Sequence, residues 1–300
     1  MDTVFSIKHV TDYKYSNNVN LAYNEAKLTP RSFQNPLLEQ ICLDSRLTIV
    51  PGPQDERRRS DSFGNQVNYF SFSHNHKAMT VTSNSVVKRS PRVPKERLIQ
   101  YLQTQLHDLE WRDSLARIPA ELVPFTLNSS LIPFMPELKA YAKPSFEKYA
   151  LLFDALHDLM QRIFADFTFK AGVTTVTTPL DKVAKSMTGV CQDYSHFMIA
   201  CVRSMGLACR YVSGYLETVP PPGEEKLQGV DASHAWVAVY LPGFAWLDFD
   251  PTNNLIPLAQ HVTVAWGRDY ADVPPLKGVL YSNGSHELNV AVDMVRREIV

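Results

Sequence analysis

Apolar and polar residues interleave with a period of two along the first 90 residues. From Asp2 to Asn18, Val4, Val10, Tyr13 and Tyr15 alternate with Ser6, Lys8, Thr11 and Lys14, and the pattern returns from Ile41 to Val50 through Ile41, Leu43, Leu47 and Ile49. Val67 to Phe72 and Met79 to Val87 are rich in β-branched and aromatic residues, and Pro30, Pro51-Gly52-Pro53 and Phe63-Gly64-Asn65 punctuate these runs. Short strands so spaced predict a small sheet or sandwich. Asp55 to Asp61 (DERRRSD) reads as a solvated hairpin tip, and Lys88 to Lys95, with its basic residues and two prolines, as a linker.

The period then lengthens to 3.6. Leu98, Tyr101, Leu102, Leu106 and Leu109 predict one helix, and Tyr149, Leu152, Phe153, Leu156, Leu159, Met160 and Ile163 place another within Phe146 to Phe164. Arg112 to Pro144 is Pro-rich and fits neither pattern. Cys191 to Met205 reads as a buried helix. Arg210 to Thr218, Ser233 to Leu241 and Ala245 to Asp250 read as strands, broken by Pro220-Pro221-Pro222-Gly223 and by Pro242-Gly243, with a final strand from His286 to Val295. The textures divide the chain into an N-terminal β domain, residues 1–90, and a second domain, residues 91–300.

Composition narrows the function. The chain has 300 residues, with 30 Lys+Arg against 31 Asp+Glu and a sequence pI near 6.8. That balance argues against a basic nucleic-acid binder or a polyanionic tail. No apolar run reaches the roughly 20 residues of a membrane span, and no basic stretch followed by an apolar core marks the N-terminus. A cytoplasmic protein without a membrane partner is expected. The four cysteines, Cys42, Cys191, Cys201 and Cys209, are too few for a disulfide scaffold. The Cys and His spacings are not those of zinc sites, with His261 and His286 isolated, so neither metal nor other cofactor is expected.

The chemistry concentrates in the second half. Cys191 opens a predicted helix, where free N–H groups and the helix dipole favour a thiolate and can hold an oxyanion. A nucleophilic thiol needs a base, and His234 begins a predicted strand 43 residues on. The base needs an orienting acceptor; Asp248 and Asp250 lie on the next strand. Strand alternation puts both carboxylates on one face and leaves the choice between them open. His196 lies five residues from Cys191, about 140° round the helix, and should face away as a structural residue. Asp193 reads as a first-turn partner of the dipole.

The words around these residues resemble a known family. Gly189-Val190-Cys191-Gln192-Asp193-Tyr194-Ser195-His196 is similar to the nucleophile motif of the transglutaminase-like superfamily. Arg210 to Leu216 resembles the strand that follows it, Asp231 to Val237 the His motif, and Trp246 to Asn253 the Asp motif. His9-Val10-Thr11, Leu28-Thr29-Pro30-Arg31, Asp61-Ser62-Phe63-Gly64-Asn65 and Trp266 to Pro275 are similar to the bacterial branch with its N-terminal β region. The resemblance implies an α+β fold: a papain-like, cysteine-proteinase-type core of helices on an antiparallel sheet, preceded by a small β-sandwich-like domain. It implies a Cys191–His234–Asp250 triad, because the family's aspartate stands four residues after the Trp and directly before Pro-Thr. Gln192 and Asp248 are then candidates for oxyanion or supporting roles. Animal cross-linking transglutaminases usually carry Trp after the nucleophile and use calcium; here Gln192 follows, and no loop has clustered acidic residues at calcium-ligand spacing. The reading is a cysteine protease or amidase acting on a peptide or protein amide. Protein-glutamine γ-glutamyltransferase cross-linking stands second, and a non-catalytic binding scaffold is the reading from another class.

Overall fold

The computed structural model describes residues 2–218 and 232–297. The expected Pro220 to Gly223 break and Asp231 lie outside them. The first seven strands are β1 (Thr3–Val19), β2 (Leu21–Ala26), β3 (Phe33–Gln34), β4 (Leu38–Val50), β5 (Asp55–Ser60), β6 (Gln66–Phe72) and β7 (His76–Pro91). Four helices follow: α1 (Leu98–Gln105), α2 (Trp111–Leu115), α3 (Pro136–Lys148) and α4 (Leu152–Asp166). Next come β8 (Thr168–Phe169), α5 (Leu180–Ser186), β9 (Thr188–Gly189) and α6 (Cys191–Ser204). The chain continues through β10 (Cys209–Leu216), β11 (Ala232–Leu241), β12 (Ala245–Phe249), β13 (His261–Gly267), β14 (Leu276–Tyr281) and β15 (His286–Arg297).

Antiparallel strands in the order β12-β11-β10-β13 form the central sheet. Alternation divides its two faces. Tyr211, Tyr215, Val237, Val239 and Phe249 join the large core with α6 and the other helices, while Val212, Trp236 and Ala238 form a separate cluster with Trp246 and Trp266. The other two main sheets run β15-β1-β7-β4-β3 and β14-β2-β6-β5. Phe70, Phe72, Ala22, Tyr15, Ile49 and Val81 fill the space between them as a sandwich. β1 serves both cores: Phe5 and Ile7 pack in the large one, Tyr15 and Val19 in the sandwich. The fold is α+β.

Several elements differ from the sequence pattern. Asp55–Ser60 is not a hairpin tip but an edge strand paired with β6; its mostly exposed charged side chains suit an edge that must not recruit another chain. Lys88–Pro91 is not linker but the end of β7. Arg89 there is fully buried, and its guanidinium reaches the Gln40 side chain at 2.9 Å and the Leu258 carbonyl. Its polarity hid a buried position that hydrogen bonds make tolerable. The helical pattern from Phe146 is split at Tyr149–Leu151. Phe146 lies in the last turn of α3, and the apolar spacing carries across the break because both helices pack on α6. β13 and β14 lie outside the expected strands. β14 pairs with β2 and β15 with β1, so strand pairing crosses the boundary expected at residue 90.

Two polar clamps fasten the N-terminal strands to the central sheet. Gln40 donates to the Arg31 and Thr263 carbonyls at 2.6 and 2.7 Å and accepts the Thr263 N–H at 2.9 Å. Asn65 donates to the Trp266 carbonyl at 2.8 Å and accepts its N–H at 3.0 Å.

Burial holds His9 and His196 at about 4, well below an ordinary histidine. His9 contacts the Tyr215 hydroxyl at 3.1 Å and the Thr11 hydroxyl at 3.0 Å; His196 Nε2 accepts the Tyr270 N–H at 3.2 Å. Unfolding frees both rings to take protons below about pH 6.5, so stability falls as the pH drops from there toward 4, by about 3 kcal/mol per histidine at the lower end. Urea unfolding at pH 7 and pH 4.5 measures this, and His196→Asn should flatten the slope.

Candidate active site

Cys191 is the first residue of α6. The turn before it is held by Asp193, whose carboxylate accepts the Val190 N–H at 2.8 Å and the Thr174 hydroxyl at 2.7 Å. This is the reach-back half of a helix capping box. The Asp193 side chain lies on Gly189, where an added Cβ would meet its carbons at 2.7 Å and its Oδ2 closer still. The tight approach requires glycine. It also leaves the N–H groups of Cys191 and Gln192 in the first turn, where a helix has no acceptor of its own for them. His196 is on the same helix but turned to Tyr270 and Tyr211, and is buried.

His234 sits near the start of β11 and is buried. Its Nε2–H donates to Asp250 Oδ2 at 2.8 Å, and the Cys191 thiol lies close enough to act on the ring. Asp250 follows the end of β12. It is fully buried and accepts five N–H groups: Thr252 N and Asn253 N on Oδ1, and His234 Nε2, His261 Nε2 and Asn253 Nδ2 on Oδ2. Burial opposes the carboxylate charge, but His234 and His261 outweigh it and hold Asp250 well below its usual range. Burial likewise opposes a charge on His234, yet Asp250 and Cys191 prevail and push the ring up to about 10. The structure therefore brings Cys191, His234 and Asp250 together in that order.

Asp248 takes a different place. It accepts the Trp236 indole N–H at 3.2 Å, and Trp236 in turn packs against the His234 and His261 rings, with centroids 6.0 and 5.1 Å away. Gln192 donates to the Val176 carbonyl at 3.2 Å, tying α6 to the loop before α5.

His261, isolated in sequence, is part of the cluster. Its Nε2–H donates to Asp250 Oδ2 at 2.9 Å, and burial, the larger influence, lowers its basicity and keeps it neutral. It comes from β13, a strand outside those expected from the pattern although its Val262-Thr263-Val264 run is a β signal that could have found it. Asn253, within the Asp motif, is the other residue missed. Its side chain lies 2.7 Å from Asp250 Oδ2 and 3.3 Å from His234 Nε2. His234, Asp250 and His261 also put potential metal ligand atoms within 4.8 Å of one another. Their spacing of 2.8 and 2.9 Å is that of hydrogen bonds; ligands on one zinc ion stand about 3.3 Å apart. The other cysteines differ in setting. Burial pushes the thiols of Cys42, Cys201 and Cys209 up, Cys209 to about 12.

Two family models match the chain. The bacterial transglutaminase-like N-terminal region covers residues 5–88, and the transglutaminase-like superfamily core covers residues 139–251, ending just past Asp250. An uncharacterised protein of Mycobacterium tuberculosis strain H37Rv is 40% identical over 299 residues, covering 97% of this chain and 92% of the relative. The chain belongs to the transglutaminase-like superfamily. A further relative, from Mycobacterium leprae strain TN, is 30% identical over 293 residues, 97% of this chain and 98% of its own. Among solved structures, the "Putative Cysteine Protease from Cytophaga hutchinsonii" superposes with a TM-score of 0.76 at 20% identity, over 100% of this chain and 92% of that one. The fold of this superfamily member is the papain-like α+β arrangement. No helix among the described residues is long and apolar enough to cross a membrane.

Two substitutions check this geometry. Asp250→Asn removes the charge that five donors converge on and should cost about 3–5 kcal/mol in urea unfolding, the range for breaking a buried ionic network. Gly189→Ala should cost about 1–3 kcal/mol by overpacking against Asp193.

Proposed function

We propose that this protein is a cysteine-dependent acyl hydrolase, a protease or amidase, that cleaves a peptide or protein amide through a thioester on Cys191. One observation carries the reading: a buried imidazole is held by a buried carboxylate on Nε2, with the helix-start thiol of Cys191 close enough to act on the same ring. In the mechanism the Cys191 sulfur, as thiolate beside the His234 imidazolium, attacks the amide carbonyl carbon. The developing oxyanion is met by the Cys191 backbone N–H and the positive end of α6. His234 gives its proton to the leaving amine as the C–N bond breaks. A water then enters, His234 takes its proton, and the hydroxide carbon–oxygen bond replaces the thioester. Asp250 keeps the ring in one tautomer throughout, with Nε2 protonated.

His261 and Asn253 support the pair by sharing the Asp250 carboxylate, so that a buried charge stays balanced when His234 loses its proton. Water is favoured over an amine acceptor because Gln192 stands directly after the nucleophile, where animal cross-linking transglutaminases usually carry Trp. Four unpaired cysteines suit a reducing, cytoplasmic setting.

Limiting iodoacetamide at pH 6, followed by peptide mapping, is the first test. Cys191 should label at least about tenfold faster than Cys42, Cys201 or Cys209, and His234→Ala should abolish the preference. Cys191→Ala should lose turnover of peptide amides; unchanged turnover in that variant would sink the reading.

A further inference from the structure

The aromatic face of the central sheet, the one away from α6, holds a second polar site. Arg210 on β10 and Asp248 on β12 both stand directly across from Ala238 of β11. Two strand spacings put their backbones about 10 Å apart, and the small alanine between them leaves room. The result is a crevice of about 290 Å³ walled by Phe33, Trp246 and Trp266, with Arg210, Asp248 and Thr263 as polar lining.

The polar groups are unspent. Arg210 is 8% exposed, yet its guanidinium makes no hydrogen bond among the described residues, and its Nε is buried without a partner. The other deeply buried arginines behave differently. Arg203 is bonded to the carbonyls of Cys209, Leu127 and Arg268, and Arg89 to Gln40 and Leu258. Arg210 is instead clasped between indoles, 4.2 Å from the Trp246 centroid and 3.7 Å from that of Trp266. Stacking of this kind offsets part of the desolvation cost and leaves the planar edge of the guanidinium free for a bidentate partner. Burial brings Arg210 down to about 9, still charged at neutral pH. Asp248 spends one oxygen on Trp236, and no ion pair joins it to Arg210. The Thr263 hydroxyl is buried 1% exposed and has no partner.

We infer that this crevice binds a free α-amino acid, its carboxylate on Arg210, its ammonium on Asp248 and its side chain between Trp246, Trp266 and Phe33. A lone anion would meet Asp248, and a lone cation would meet Arg210. A ligand bearing both charges about one bond length past the same carbon satisfies the two together, and a volume near the lower bound of small-molecule sites suits one residue rather than a peptide. The inference stands apart from the thioester reading, since none of these residues touches Cys191.

The test is binding to the full-length protein carrying Cys191→Ala, so that turnover plays no part. L-Phenylalanine, L-leucine, L-glutamine and L-glutamate are titrated at constant ionic strength, followed by tryptophan fluorescence and calorimetry. At least one should bind saturably, and its N-acetyl and carboxamide derivatives should each bind more than about tenfold more weakly, as should the parent amino acid to Arg210→Met. If Arg210→Met does not fold, Gln34→Trp serves instead. Gln34 is exposed at the mouth of the crevice, and the larger ring should block entry without touching the core. Absence of binding at millimolar concentration, equal binding of the capped derivatives, or unchanged binding by the plugged variant would each overturn the proposal.

Discussion

The Asp250 carboxylate is a negative charge with no exposure to water, and much of the active region is arranged around making that tolerable. An unpaired buried carboxylate would take a proton rather than stay charged. Here the turn after β12 supplies two backbone N–H groups and the Asn253 amide, β11 supplies His234, and β13 supplies His261. Those donors come from two strands and the turn between them. The register of the central sheet is therefore bound to the charge: slipping β11 or β13 by one residue would turn His234 or His261 to the other face and leave Asp250 short of donors.

That register is in turn reinforced from outside the sheet. Gln40 grips the backbone of Thr263 on both its N–H and its carbonyl, and Asn65 does the same to Trp266. Both grips fall on β13, the strand that carries His261. The N-terminal strands thus do more than precede the catalytic half. They supply side-chain partners that fix an edge strand of the central sheet, and β14 and β15 return to pair with them. The motifs Asp61 to Asn65 and Trp266 to Pro275, remote in sequence, meet at one clamp.

This explains what the sequence could and could not reveal. Cys191, His234 and Asp250 sit in local words, at a helix start, near the start of a strand and before a turn, so the residues that meet in space were legible one motif at a time. His261 was not: Val262-Thr263-Val264 carries a strand signal, but nothing marks the histidine at its start as the partner of a carboxylate 11 residues back, across a turn. Arg89 was misread for the opposite reason. Its neighbours Lys88 and Ser90 make the segment look solvated, and only the facing Gln40 shows why a guanidinium can be buried there. The helix break at Tyr149 was hidden because α3 and α4 pack on a common partner and keep one apolar phase. Periodicity reports which face is buried; it does not report whether the backbone is continuous.

Asp248 and Asp250 show how two residues on one face of one strand end can take unlike roles. Alternation gives them the same side, and sequence spacing alone could not choose between them. Their surroundings do. Asp250 stands where the turn residues and two imidazoles converge, and it is held ionised. Asp248 stands one step back along β12, where the neighbours are an indole N–H and, across Ala238, a cation beyond ion-pair reach. Burial there raises its affinity for a proton, while Arg210 resists that. Trp236 joins the two settings: its indole nitrogen is anchored by Asp248, and its ring lies against His234 and His261. A large aromatic so placed excludes water from the imidazole–carboxylate bond, which strengthens it by lowering the local dielectric. The second carboxylate thus acts on the first through the position of one tryptophan, and a group that alters Asp248 would be felt at His234 as a change in packing rather than in charge.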